Sequence, residues 1–187
     1  MSPDGMIPVA IIDGSVITGL NALILRIKNL INSGDFIEDI NVLSEVTAGN
    51  VFFSWLAENL RNISLYLTWL NNSEETRKIY EKRHAFPVSA ALRYIDKRAY
   101  TSYLKSIDWN SKSINSILKI FEGICVAIAE RIGTGEYILG RDKPGKCDSL
   151  LYGYWKVFKE FGNYFSSLHD TMSKYPSIEQ LFVNMQK

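Results

Sequence analysis

The chain has 187 residues, 47% of them hydrophobic and 22% charged, enough for one large domain or for a partial domain followed by a complete one. A formal net charge of +1 argues against a non-specific nucleic-acid binder, which needs a basic face to neutralise phosphates. The longest apolar run, ICVAIA at 124–129, falls far short of the roughly 18–20 residues of a bilayer span. Residues 1–20, broken by Asp4, Gly5, Pro8, Asp13 and Gly14, do not read as a secretory signal.

Residues 6–12 (MIPVAII) predict a buried strand, Asp13-Gly14 a hairpin turn and SVIT at 15–18 its return strand. Apolar residues at 20, 23, 24, 27, 30 and 31 then predict one helical face over Leu20–Ile31, stopped by Asn32-Ser33-Gly34. No further strand is predicted. A long helix is expected from about Ser44 to Leu70, with apolar positions 46, 53, 56, 60, 63, 67 and 70 on one seam. Phe52, Trp55, Tyr66 and Trp69 widen that seam, and an aromatic stripe at helical spacing reads as core. NNSEE at 71–75 breaks the helix, with Ser73 as the N-cap signal of the next one. RKIYEKRH at 77–84 is the densest basic stretch; it carries a glutamate and reads as a solvated helix face or a connection between helices.

Pro87 is followed by a helix to about Lys105, and DWNSKS at 108–113 is a second break. Ile114, Ile117, Leu118, Phe121, Ile124, Cys125, Ile128 and Ile132 mark another strong helix, ended by GTG at 133–135. After KPG at 143–145, Gly145 can serve as an N-cap, which places Asp148 at the third helical position. There its carboxylate can accept from the cap N–H and meets the positive end of the helix dipole. Leu150, Leu151, Tyr154, Val157 and Phe158 are its expected buried face, and Pro176 precedes a short final helix carrying Ile178, Leu181, Phe182 and Met185. The plan is six or seven helices behind a β-β-α segment, the two parts packed together.

Residue chemistry offers no catalytic constellation. Cys125 and Cys147 form no CxxC pair; Cys125 sits on an apolar helix face, whereas Cys147 lies near a helix start, where a thiol pKa can fall. His84 and His169 are the two histidines and show no metal-ligand spacing. GTGEYILG at 133–140 lacks the context and the Lys-Ser/Thr ending of a phosphate loop, and there is no GxSxG elbow. Asn62 and Asn71 head N-x-S/T sequons, which carry little without a secretory signal.

The β-β-α unit opened by Ile-Pro, followed by helices that include the Asp148-capped one, resembles the glutathione-transferase-like fold. By that resemblance Pro8 matches the cis-proline before the third strand of the thioredoxin half. Asp148 matches the aspartate of the Ser/Thr-x-x-Asp capping box, with Gly145 in place of Ser/Thr. Within that superfamily the chain resembles the metaxin family, in its metaxin 2-like branch. MSPDGMIPV (1–9), LYLTW (65–69), IDWNSKS (107–113), RIGTGEYILG (131–140) and KPGKCDSLLYG (143–153) carry the likeness, in order, to about residue 158.

The resemblance implies a mainly α chain: residues 1–34 a partial thioredoxin-like segment, residues 35–187 an all-helical domain like the C-terminal domain of glutathione transferases. It also implies an amino-terminally shortened form, since metaxin-like chains carry a strand-helix-strand segment upstream. Loss of that segment would leave a hydrophobic face for a partner or a second copy to cover, and we nominate Val9, Ile11, Leu20, Leu23 and Ile27 for it. The alternative is that these residues pack on the helical domain.

A transferase would need the catalytic Tyr, Ser or Cys of that missing part. It would also need a polar pair for glutathione where this chain has Gly19 and Leu20. The reading is therefore non-enzymatic, without cofactor or metal. The resemblance implies a scaffold on the cytosolic face of the mitochondrial outer membrane, held there by a metaxin 1-like partner in a heterodimer. Such a scaffold works with the β-barrel assembly machinery and, in mitochondrial transport, with motor adaptors. A degenerate transferase-like enzyme and a soluble member of the same superfamily are the alternatives.

Overall fold

The computed structural model describes residues 9–12, 14–19, 22–23, 26, 40–139 and 143–186. The chain divides into two compact units, residues 1–46 and 47–187. In the first, β1 (Val9–Ile12) and β2 (Ser15–Thr18) form an antiparallel hairpin. Its register pairs Val9 with Thr18, Ala10 with Ile17, Ile11 with Val16 and Ile12 with Ser15. Gly14 at φ +75° supplies the left-handed backbone that a two-residue hairpin turn requires. Positions 6–8 of the predicted strand, Pro8 among them, lie outside the described residues. So does most of the predicted Leu20–Ile31 helix, of which Ala22, Leu23 and Arg26 are helical. The Leu23 N–H donates to the Gly19 carbonyl at 3.1 Å.

Seven helices with described bounds follow: α1 (Ile40–Tyr66), α2 (Ser73–Arg83), α3 (Val88–Ser106), α4 (Ile114–Ile132), α5 (Lys146–Glu160), α6 (Gly162–Met172) and α7 (Pro176–Asn184). The protein is mainly α with one small antiparallel sheet. Helix α1 starts at Ile40 rather than Ser44 and gives way at its end to a π-helical turn, Leu67–Asn71. Its seam buries Phe53, Leu56, Leu60, Ile63 and Leu67, along with Phe52, Tyr66 and Trp69. Trp55 departs from the expected aromatic core. It lies one residue, about 100° of helix rotation, from the seam centre at Leu56, stacks on Phe52 at 5.5 Å and stays 39% exposed.

The Thr76 hydroxyl donates to the Thr68 carbonyl of the π-turn at 2.6 Å, with the Asn72 carbonyl a second, longer acceptor at 3.1 Å. Asn72, not Ser73, is the N-cap residue of α2. Trp69, within the turn, stacks on Tyr100 of α3 at 5.4 Å and faces Tyr80 of α2 at 6.0 Å. Its ring therefore fastens the base of the α2–α3 pair. A hydrogen bond from the Tyr80 hydroxyl to Asp96 and one from Lys97 Nζ to Ser73 Oγ link the two helices along their length. The Phe86–Pro87 peptide between them is cis.

Helix α4 is the spine of the remaining core. Ser113 caps it, accepting from the Ser116 N–H at 3.2 Å, and Gly133 at φ +56° ends it. Ile117, Phe121, Ile124, Cys125, Ile128 and Ile132 recur every third or fourth position and are buried, against α6 and α7. Phe121 meets Phe158 of α5 edge-on at 6.0 Å, and Phe158 meets Phe165 of α6 at 5.0 Å. Pro176 opens α7 at a position where its missing N–H costs nothing, and Ile178, Leu181 and Phe182 bury its inner face. Val157, expected inside, lies at the edge of the α5 stripe and is 42% exposed.

Candidate partner-binding face

Side chains of directly paired residues in an antiparallel hairpin point to the same face. Ile11 and Val16 are such a pair, and the structure leaves them 73% and 54% exposed. Ala10, Ile12 and Ile17, on the opposite face, are half-buried. The hairpin thus has one sheltered face and one open face, and the open one carries two β-branched apolar side chains. Val9 lies in β1, paired with Thr18. Leu23 is helical and half-buried, beside an exposed Arg26. Leu20 and Ile27 lie outside the described residues. Val16 was not nominated from the sequence, although strict alternation in SVIT places it beside Ile11.

The Asp148 site is structural. The carboxylate is 1% exposed and accepts from the Gly145 N–H with one oxygen and the Ile138 N–H with the other, both at 2.8 Å. Gly145 has no side chain with which to answer the Asp148 N–H, so only the carboxylate half of a reciprocal capping box is present. The backbone of Gly145 is extended, φ −113° and ψ −172°.

Burial, with the Glu122 carboxylate adding to it, pushes the Cys125 thiol up to about 12. Burial and the bond to Asp96 raise the Tyr80 phenol, and burial raises Tyr154. Cys147, at the start of α5, is buried rather than presented to solvent. His84 is exposed; His169 Nδ1 lies 3.8 Å from Asp170. Among the described residues no three His, Cys, Asp or Glu side chains come together as a metal site. A groove of about 520 Å³ between α1 and α4, lined by Val51, Phe52, Trp55, Ala127 and Arg131, places the Arg131 guanidinium over the Phe52 ring at 4.1 Å.

The described residues therefore define a mainly α protein with a small antiparallel sheet, whose candidate site is an apolar hairpin face. In sequence it is similar to metaxin-2 proteins. The chain is 26% identical over 165 residues to a protein named Metaxin-2 homolog from Caenorhabditis elegans, covering 82% of this chain and 66% of that one. It is 25% identical to Metaxin-2 of Homo sapiens and 24% identical to that of Mus musculus, each over 158 residues, 82% of this chain and 58% of theirs. The chain thus spans less than two thirds of the length of these curated relatives. No family model matches the chain, and no solved structure matches it.

Proposed function

We propose that the protein is a non-enzymatic scaffold or adaptor subunit of a mitochondrial outer-membrane complex, acting in the import and assembly of outer-membrane proteins. The observation that carries this is the similarity to metaxin-2 proteins across 82% of the chain. In this reading residues 1–34 are a thioredoxin-like segment and 35–187 a helical domain of the glutathione-transferase C-terminal kind. Among the described residues no helix is long and apolar enough to cross a membrane. In this reading a metaxin 1-like partner holds the chain on the cytosolic face. A role in mitochondrial transport through motor adaptors belongs to the same reading.

The open hairpin face is the proposed partner contact, centred on Ile11 and Val16. Burying two such side chains stabilises a complex by about 1.5–3 kcal/mol each. The test is capture of the tagged chain from mitochondrial and cytosolic fractions, with bound proteins identified by mass spectrometry. Recovery from mitochondria with a metaxin 1-like protein and a β-barrel assembly component supports the proposal; recovery from cytosol alone overturns it. The double variant Ile11→Asp, Val16→Asp changes exposed positions only, so it should keep its helical content and lose those partners. Undiminished capture would remove the hairpin from the interface.

A further inference from the structure

Helix α3 is turned the wrong way round for a core helix. Val88, Leu92, Ile95 and Ala99 fall on one stripe at helical spacing, yet all four are exposed, Ile95 at 60%. Its buried residues are Ser89 and Leu104, on the opposite side. The stripe continues into the link before the helix, where Phe86 is 85% exposed; Tyr94, on another side of the helix, is also exposed. An exposed phenylalanine beside an outward-facing apolar stripe is a concentration of large apolar groups that marks an interaction surface.

Cations surround this stripe. Residues 82–98 contain Lys82, Arg83, Arg93, Lys97 and Arg98 against one carboxylate, Asp96. That carboxylate is taken up by the Tyr80 hydroxyl. The segment carries +4 in a chain whose total is +1. The nearby ion pairs use other residues, Arg77 with Glu74 and Glu81, and Lys78 with Glu75. Lys82, Arg83 and Arg98 are exposed, and no described carboxylate pairs with them. Exposed apolar side chains with the exposed cations Lys82, Arg83 and Arg98 beside them match the two layers of an anionic bilayer surface. Hydrocarbon receives Phe86, Val88, Leu92 and Ile95, and the headgroups meet the cations.

We propose that this tip of the α2–α3 pair docks directly on an anionic lipid surface. The proposal rests on the outer-membrane reading only for the choice of membrane, and it adds a contact made by this chain's own residues to the one supplied by a partner. Trp69 and the Tyr80–Asp96 and Ser73–Lys97 bonds hold the pair together, so the tip meets the surface as a preformed unit.

The test is co-sedimentation of the purified full chain with vesicles of phosphatidylcholine alone and of phosphatidylcholine mixed with phosphatidylserine. Binding is expected to the anionic vesicles, to fade as salt is raised, and to be weak on neutral ones. Phe86→Ser with Ile95→Ser should each lower the partition roughly tenfold. Arg83→Glu with Arg98→Glu should lower it without touching the apolar stripe. All four positions are exposed, and circular dichroism reports whether the fold is kept. Absence of binding to either vesicle, or undiminished binding by both double variants, overturns the proposal. So does retention by a duplex oligonucleotide in preference to anionic vesicles, which would make the cations a nucleic-acid contact. No partner or organelle enters this assay, so its failure leaves the outer-membrane reading standing, and failure of partner capture leaves the lipid contact standing.

Discussion

At the scale of single residues, Asp148 does more than cap a helix. The three-residue offset from Gly145 makes the first of its bonds readable in the sequence, because a carboxylate at the third helical position reaches back to the cap N–H. The second, to the Ile138 N–H, joins residues ten apart across a stretch with no periodic pattern, and nothing local announces it. Asp148→Ala leaves two backbone donors without that acceptor in a buried setting. A loss of about 2–4 kcal/mol is expected, read as a lower urea midpoint with unchanged slope. Cys125 gives a test in pH. Its thiol is pushed from an ordinary 9.0 up to about 12 in the folded protein, so the unfolded chain ionises first. The stability this group contributes is fully present below about pH 9 and is lost as pH rises through that window toward 12. Cys125→Ala should flatten the alkaline fall in unfolding free energy relative to the parent chain; identical pH profiles would show that the thiol does not titrate as described.

Among the secondary-structure elements, helix α4 could be read almost residue by residue, since a period of three and four, a serine cap and a terminal glycine all agree. Helix α3 could be located from Pro87 and the break at 108–113, but its orientation could not. A stripe such as Val88, Leu92, Ile95 and Ala99 has the spacing of a core face, and spacing alone does not say whether another element covers it. The contacts that do fix α3 are aromatic and polar: Tyr100 on Trp69, Asp96 with Tyr80, Tyr103 with the buried Asn62 at 2.9 Å. They join residues dispersed between 62 and 103, so no window of sequence contains them. The π-turn was equally invisible, because an extra residue in a helical ladder leaves the apolar spacing before it intact. Trp69 is where these contacts converge. Trp69→Ala is expected to cost about 3–5 kcal/mol, and hydrogen exchange should show α2 and α3 losing protection while α4 keeps its own. Uniform loss across all helices would mean that the pair is not fastened locally at that ring. On the hairpin, alternation in SVIT was enough to place side chains on two faces, but which face lay open was a property of the fold.

For the whole molecule, a net charge of +1 is a poor guide to how the protein meets a charged partner. With +4 concentrated in residues 82–98, the remainder of the chain carries −3. A local concentration of like charge sets up a field of its own at short range, and that patch is drawn toward a negative boundary before any atom touches it. Diffusion toward a negative surface is then a turning motion as well as an approach. Within its last Debye length, about 8 Å in physiological salt, the attraction acts on Arg83 and Arg98 and brings them forward. An encounter that begins in any orientation is thereby funnelled into one. The surface that such a protein leaves facing away for other molecules to find is chosen electrostatically, by a field rather than by a lock.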